Sequence, residues 1–192
     1  LERLGTTIHV SHAYLFEDHI NRDGEPVTSM RYEWAAPGCT NNIDDPEYQN
    51  SKLYVEGYEE QVKALQRGEV RAGNTQTFTP IEKQNMELSG IKAILEVPIF
   101  VNQKDWGAIG FDDIEDEREW TNAEIDALKV AAGILSAAIQ REKADSAVQE
   151  SERIYRQAIE AADAVPYYYD FLSNSYVFIG EGIRSMTGYG PD

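Results

Sequence analysis

The sequence predicts an α/β (α+β) chain: an antiparallel sheet of about six strands flanked by helices, with a long helix near the C-terminal end. Three observations predict it. Apolar residues alternate at period two in paired segments joined by turn signals, which marks antiparallel hairpins. Between and after those pairs the apolar spacing changes to three-and-four, the period of an amphipathic helix. Nothing breaks a helix between Gly133 and Pro166, so one helix of roughly forty residues is expected where the average is about 11–12.

In chain order, the first strand is expected over residues 8–16, with Ile8, Val10, His12, Tyr14 and Phe16 on one side. Asp23-Gly24 is a turn signal, and residues 27–34 alternate again, with Met30, Tyr32 and Trp34 facing one way and Arg31 and Glu33 the other. Residues 35–50 are rich in Pro, Gly, Asn and Asp and read as loop. Leu53, Tyr54, Gly57, Tyr58, Val62 and Leu65 predict a helix stopped at Arg67-Gly68, with a short strand near residues 69–71. Thr79-Pro80-Ile81-Glu82 opens another helix, with Pro in the first turn and an acid behind it, and Gly90 closes it. Residues 91–101 place Ile91, Ala93, Leu95, Val97 and Ile99 on one face of a strand. After a turn at 102–105, the return strand at 106–112 carries Gly107 and Gly110, where another backbone or a ligand approaches closely.

Thr121-Asn122-Ala123-Glu124 is a capping box for the long helix, expected from Thr121 to about Ala162. Ile125, Leu128, Ala132, Leu135 and Ile139 follow at helical spacing, to anchor it either against the sheet or across a twofold axis. Residues 140–153 are heavily charged: either a solvated surface helix or half of a two-stranded coiled coil. In the second reading Ala144, Val148, Tyr155, Ala158 and Ala162 continue a looser seam after a heptad break near 140–143, and the chain is a parallel homodimer. After Pro166 a third strand–turn–strand pattern covers 167–172 and 176–179, followed by a helical piece from Gly180. About 27 residues cannot bury a core alone, so a truncated second domain is expected. The expected organisation is a first domain over 1–140, a connecting helix over 141–162 and the truncated start over 163–192.

Composition narrows the functions. The 34 acidic residues outnumber the 17 basic ones, a formal net charge of −17. Nucleic acid and anionic membrane surfaces would repel such a chain at long range. The single cysteine, Cys39, forms neither an internal disulfide nor a cysteine-cluster metal site. No stretch approaches the ~18 apolar residues of a membrane span. Leu1-Glu2-Arg3-Leu4-Gly5 reads as cut from something longer, so a cytoplasmic piece of a larger protein is expected. His9 and His12 face opposite sides of their strand and His19 lies beyond its end, an arrangement that does not gather one metal. Asp112, Asp113, Glu115, Asp116 and Glu117 read as a solvated loop before a helix N-terminus, where acids are favoured, rather than as a cation site. Neither a His-Glu phospho-accepting helix nor a glycine-rich nucleotide loop occurs. Catalytic residues, metal ligands and cofactors are therefore not expected.

Residues 90–99, Trp106-Gly107-Ala108-Ile109-Gly110-Phe111-Asp112-Asp113 and Arg118-Glu119-Trp120-Thr121-Asn122-Ala123-Glu124 resemble the C-terminal half of a GAF domain of the sensor histidine kinase type. Residues 10–17 and Arg31-Tyr32-Glu33-Trp34 are similar to the first hairpin of the same domains, so the resemblance covers about 5–140, with the family's first helix expected before Leu1. Residues 151–160, with Met186-Thr187-Gly188-Tyr189, resemble the opening of a PAS domain. The resemblance implies a non-catalytic sensory module of a two-component phosphorelay, passing a small-molecule signal through the long helix to PAS and output domains of the same chain. A ligand-free dimerisation module and the sensor of a diguanylate cyclase are the alternatives. Family members that reduce methionine sulfoxide need several cysteines, and those that attach a bilin use a cysteine followed by histidine; here Thr40 follows Cys39. The implied pocket lies between the sheet and its covering elements, with Tyr14, Phe16, Tyr32, Trp34, Phe78, Ile94, Val97, Trp106, Ile109 and Phe111 as candidate walls. Strand parity leaves open which of them share a face. The implied dimer and signalling helix rests on Ile125, Leu128, Ala132, Leu135, Ile139 and Val148.

Overall fold

Leu1, Leu4 and Ile8 fall at helical spacing and pack on the core, and Glu2–Ile8 form helix α1, ended by His9 in the left-handed region at φ 59°. The first strand therefore starts later than residue 8: β1 is His12–Ile20. Ile8 and Val10 fit either period, and the contacts of Leu1 and Leu4 decide for the helix. The computed structural model describes residues 1–55, 58–180 and 182–190. Strand β2 (Pro26–Ala35) returns antiparallel to β1, and the short β3 (Ser51–Lys52) pairs on its far edge. Helix α2 (Glu59–Gln66) is shorter than residues 53–65 predicted; Gly57 of that stretch lies outside the described residues. Strand β4 (Arg71–Asn74), helix α3 (Pro80–Leu88), strands β5 (Ala93–Val101) and β6 (Lys104–Asp113), and helix α4 (Asn122–Ala161) follow.

Six strands make one antiparallel sheet in the order β3-β2-β1-β6-β5-β4. Asn102 and Gln103 join β5 to β6 with φ of 54° and 62°, the left-handed pair that matches the twist of a tight hairpin. Gly107, at φ 143°, lies against β1: a Cβ there would stand 2.1 Å from the carbonyl oxygen of Phe16. That glycine serves a backbone neighbour. In β2 the register slips where Leu15 pairs with Tyr32 but Phe16 with Met30, so Arg31 is the extra residue of a bulge. Met30 thereby leaves the face of Tyr32 and Trp34 that simple alternation gives it.

Both sheet faces are covered. On one, Ala13, Leu15, Leu95, Val97, Ile99, Ile109 and Phe111 pack with Leu128 and Ala132 of α4. Leu95, Ile99, Ile109, Phe111 and Leu128 are each less than 2% exposed, and each such side chain stabilises the fold by about 1.5–3 kcal/mol. Ile125, Leu135 and Ile139 pack against the same cluster. Of the two anchorages open to that apolar row, it takes the sheet.

Residues 141–192 form a second contact unit, distinct from residues 1–140. It holds the end of α4, a hairpin of β7 (Tyr167–Asp170) and β8 (Ser175–Ile179), and helix α5 (Ile183–Thr187). Glu181, Pro191 and Asp192 of the expected helical piece lie outside the described residues.

Candidate functional site

The sheet face turned away from the apolar core is built from the opposite residues of the same strands: His12, Tyr14 and Phe16 of β1, Ile94 and Glu96 of β5, Gly110 and Asp112 of β6, and Arg71 of β4. Tyr14 packs directly on Gly110, where a Cβ would stand 2.4 Å from the ring. Its hydroxyl donates to Glu96 Oε1 at 3.4 Å. Arg71 bridges Glu96 and Glu82, the latter at 3.0 Å. Glu82 is also the acid of the Thr79 capping box and accepts from the Thr79 backbone N–H at 2.7 Å and its hydroxyl at 2.6 Å. One carboxylate thus both starts α3 and holds the arginine. The guanidinium lies 5.5 Å from the centre of the Phe78 ring.

The electrostatics follow from burial. Burial is the largest influence on Arg71 and opposes its charge, yet Glu96 and Glu82 more than offset it and raise its pKa. Burial, then the charge of Glu96, holds the Tyr14 phenol well above its usual range. His12 Nδ1 lies 2.6 Å from Asp112 Oδ1 and Nε2 lies 2.9 Å from the Thr40 carbonyl oxygen. A carbonyl only accepts, so Nε2 carries a proton toward Thr40, and Nδ1 and the Asp112 carboxyl share a hydrogen bond. The hydrogen bond to Asp112 accordingly raises the His12 pKa.

Through Thr40, His12 ties the loop after β2 to this face. The Asn42 backbone N–H and side-chain amide donate to Glu33, Gln49 donates to the carbonyls of Met30 and Ile43, and the Asn50 N–H donates to Ser29 Oγ. Tyr48 and Phe16 meet at 6.3 Å between ring centres, and Phe16 meets Tyr14 edge-on at 5.5 Å. The second face is thus a polar, aromatic layer under a tethered loop.

The ten candidate wall residues divide between the faces. Tyr14, Phe16 and Ile94 lie on the polar face, and Phe78 sits beside Arg71. Val97, Trp106, Ile109 and Phe111 belong to the apolar core, and Trp34 packs against it and on Gly5 of α1. Tyr32 is 64% exposed. Arg71, Glu82 and Glu96 were missed, and His12 and Asp112 were weighed only as metal ligands. A charge inside an apolar run, as at Glu96 between Leu95 and Val97, is the signal that points to them.

The acidic run also divides. Asp112 and Asp113 are buried at the end of β6, so the solvated-loop reading fails for both: Asp112 pairs with His12, and Asp113 accepts from the backbone N–H groups of Glu115 and Asp116. Arg118 lies 3.5 Å from Asp113, pairs with Glu124 in the first turn of α4, and donates to the carbonyls of Ile8 and His9 at 3.2 Å each. It joins the ends of α1 and β6 to the start of α4. Among the described residues no group of three His, Cys, Asp or Glu side chains is placed to hold a metal. On the apolar side an open cleft of about 340 Å³ lies between Val70, Val97 and Phe100 and the α4 residues Lys129, Ala132 and Ser136. Polar groups converge on the other face, which is the stronger candidate.

The GAF domain model matches residues 1–139. The chain is 36% identical over 146 residues to the methanogenesis regulatory histidine kinase FilI of Methanothrix harundinacea, a match covering 74% of this chain and 16% of that protein. It is 25% identical over 157 residues to an uncharacterised protein of Azorhizobium caulinodans, covering 80% and 21%. The chain therefore spans no more than about a fifth of these relatives. Among solved structures it is similar to GAF3 from Slr1393 of Synechocystis sp. in its photoproduct state, with TM-score 0.63, 23% identity, and 77% and 93% of the two chains covered. It is also similar to the red/green cyanobacteriochrome NpR6012g4, with TM-score 0.61, 16% identity, and 73% and 89% covered. At these identities the structures speak for the fold, an antiparallel sheet between covering elements. The chain belongs to the GAF domain family, as a non-catalytic sensory module.

Proposed function

We propose that this GAF domain is the sensory part of a histidine kinase, that it binds a small molecule on the polar sheet face, and that α4 carries the response to PAS and output domains of the same chain. The observation that carries the site is the buried ionic layer of Arg71, Glu82, Glu96 and Tyr14 under the loop tied by His12. Buried charge costs stability unless it is paired, and a sheet that only had to fold would do as well with apolar residues there. The kinase context is supported by the 36% identity to a regulatory histidine kinase. The PAS reading is supported by the β7–β8 hairpin followed by α5 and Met186-Thr187-Gly188-Tyr189. The partner in this reading is a second copy of the chain. The location is cytoplasmic.

The layer holds Glu33, Glu82, Glu96 and Asp112 against Arg71 and His12. A surplus of carboxylates favours a neutral or cationic ligand with N–H donors over an anion. Covalent attachment of a bilin is not proposed, since Thr40 and not histidine follows Cys39. A ligand-free interaction module is the second reading, favoured by the fact that Arg71 is already paired with Glu82 and Glu96, and His12 with Asp112 and Thr40, without a guest. Mass spectrometry of the purified chain under native and denaturing conditions, with absorbance read above 300 nm, decides between them. A co-purifying small molecule lost on Arg71→Met supports the sensory reading. No bound molecule, together with no thermal shift from any neutral or cationic compound in a metabolite panel, overturns it.

A further inference from the structure

The open cleft on the apolar side takes no part in the site described above. The strands give a reason for it: β4 pairs with β5 only as far as Glu96, and past that point β5 borders a cleft shared with Gly68, Val70 and α4. Pro98, in this stretch of β5, has no N–H to leave unpaired. On the helix side, Lys129, Gly133 and Ser136 follow at i, i+4 and i+7, beside the anchoring residues Leu128, Ala132 and Leu135. The Ser136 hydroxyl donates to the Phe100 carbonyl and ties helix to strand there. Gly133 is the residue that folding does not account for. A glycine inside a helix is destabilising relative to alanine, yet a Cβ at Gly133 would meet nothing within 4 Å. Among the described residues no packing contact requires it, and its effect is to keep the cleft open. At about 340 Å³ the cleft lies at the small end of the roughly 300–1,000 Å³ of small-molecule sites.

We propose that this cleft is a second small-molecule site, independent of the polar face, and that it takes a small carboxylate with an apolar body. The apolar body is argued from the walls, which Val70, Val97, Pro98 and Phe100 supply. The carboxylate is argued from Lys129, which alone carries a charge among the described residues lining the cleft. Asp126 stands 3.7 Å from the ammonium, but both side chains are more than half exposed, and such a surface pair is weak enough to yield to an incoming anion. Arg67 and Glu69, the neighbours of Gly68, pair with each other at 2.6 Å and leave that end of the cleft neutral. The two sheet faces thus select opposite charges: the polar face has a surplus of carboxylates, and this one offers a lysine. An occupant here touches β5 and α4 together, so it acts directly on the packing of the helix that carries the response.

Nuclear magnetic resonance titration of the isotope-labelled chain with naphthoate and octanoate, each against its uncharged amide, tests it. Both carboxylates should shift the backbone amides of Gly68, Val97 and Gly133 in a saturable way. The two amides should bind about tenfold more weakly, and Lys129→Met should remove that difference. Gly133→Ala should raise the melting temperature by about 2–4 °C, showing that the helix does not need the glycine. Gly133→Leu should fill the cleft and abolish binding of acid and amide alike. Arg71→Met, on the polar face, should leave these affinities unchanged, so that the two sites stand or fall separately. The proposal is overturned by the absence of saturable shifts in the cleft, by equal affinity for acid and amide, or by binding that survives Gly133→Leu. Shifts at the cleft that follow protein concentration with no compound added would make a second copy of the chain its occupant, and would overturn it as well.

Discussion

His12 makes two hydrogen bonds from one ring, and its removal leaves the buried Asp112 carboxyl without that partner. His12→Ala should destabilise the domain by about 3 kcal/mol in chemical denaturation, because Asp112 loses its partner while still buried. The pH dependence has a definite sign. The His12 pKa is raised from 6.5, so its contribution is complete below that value and is lost as pH rises through the higher folded pKa. The gap between native chain and variant should therefore narrow above neutral pH. Asp105 has the same sign with an acid's consequences. Burial first, and Asp18 second, raise it from 3.8 to about 6, and the two carboxyls share a hydrogen bond. The folded state prefers the proton there, so stability is lost between pH 3.8 and about 6. Asp105→Asn should then stabilise the chain above pH 6, by about 1 kcal/mol once solvent screening of a half-exposed carboxyl is allowed for. An unchanged denaturation midpoint at pH 7 would count against the shared proton.

Helix starts were legible because their chemistry is local. The Thr121–Glu124 box forms with the acid accepting from the Thr121 N–H at 2.7 Å and hydroxyl at 2.8 Å. The Thr79–Glu82 start forms in the same way. Thr121→Ala should cost about 1 kcal/mol. Arg118→Ala should cost more, about 2 kcal/mol, since it also frees Asp113 and two carbonyls at the end of α1. Hydrogen exchange should show both variants opening the first turn of α4, with Arg118→Ala alone also exposing α1. Register was not legible. The bulge at Arg31 depends on how β2 lies against β1, and local alternation carries no trace of it. Nor did parity sort the candidate walls. A strand covered on both sides buries His12, Ala13, Tyr14 and Leu15 in succession, and alternation then has no solvent face to reveal.

At the scale of the whole molecule, the antiparallel hairpins and the forty-residue helix were readable because each rests on a period sustained over many residues. The ionic layer was not, because it assembles residues from β1, β4, α3, β5 and β6 that only the folded sheet brings together. One helix serves both the folding of the GAF domain and the seam expected at residues 144–162, and the two demands separate along its length. Its core contacts end at Ile139, while every residue from Arg141 to Ala158 is exposed. A chain ending at Gln140 should therefore keep its sheet and core, losing no more than about 1 kcal/mol, a few degrees in melting temperature. It should at the same time lose the proposed dimer, because Ala144, Val148, Tyr155, Ala158 and Ala162 of the expected seam are removed. Tryptophan fluorescence follows the first property, since Trp34, Trp106 and Trp120 all lie in or against the core, and sedimentation follows the second. A truncated chain that melts like the native one yet still sediments at twice its own mass would place the pairing surface within residues 1–140 and not along the rest of α4.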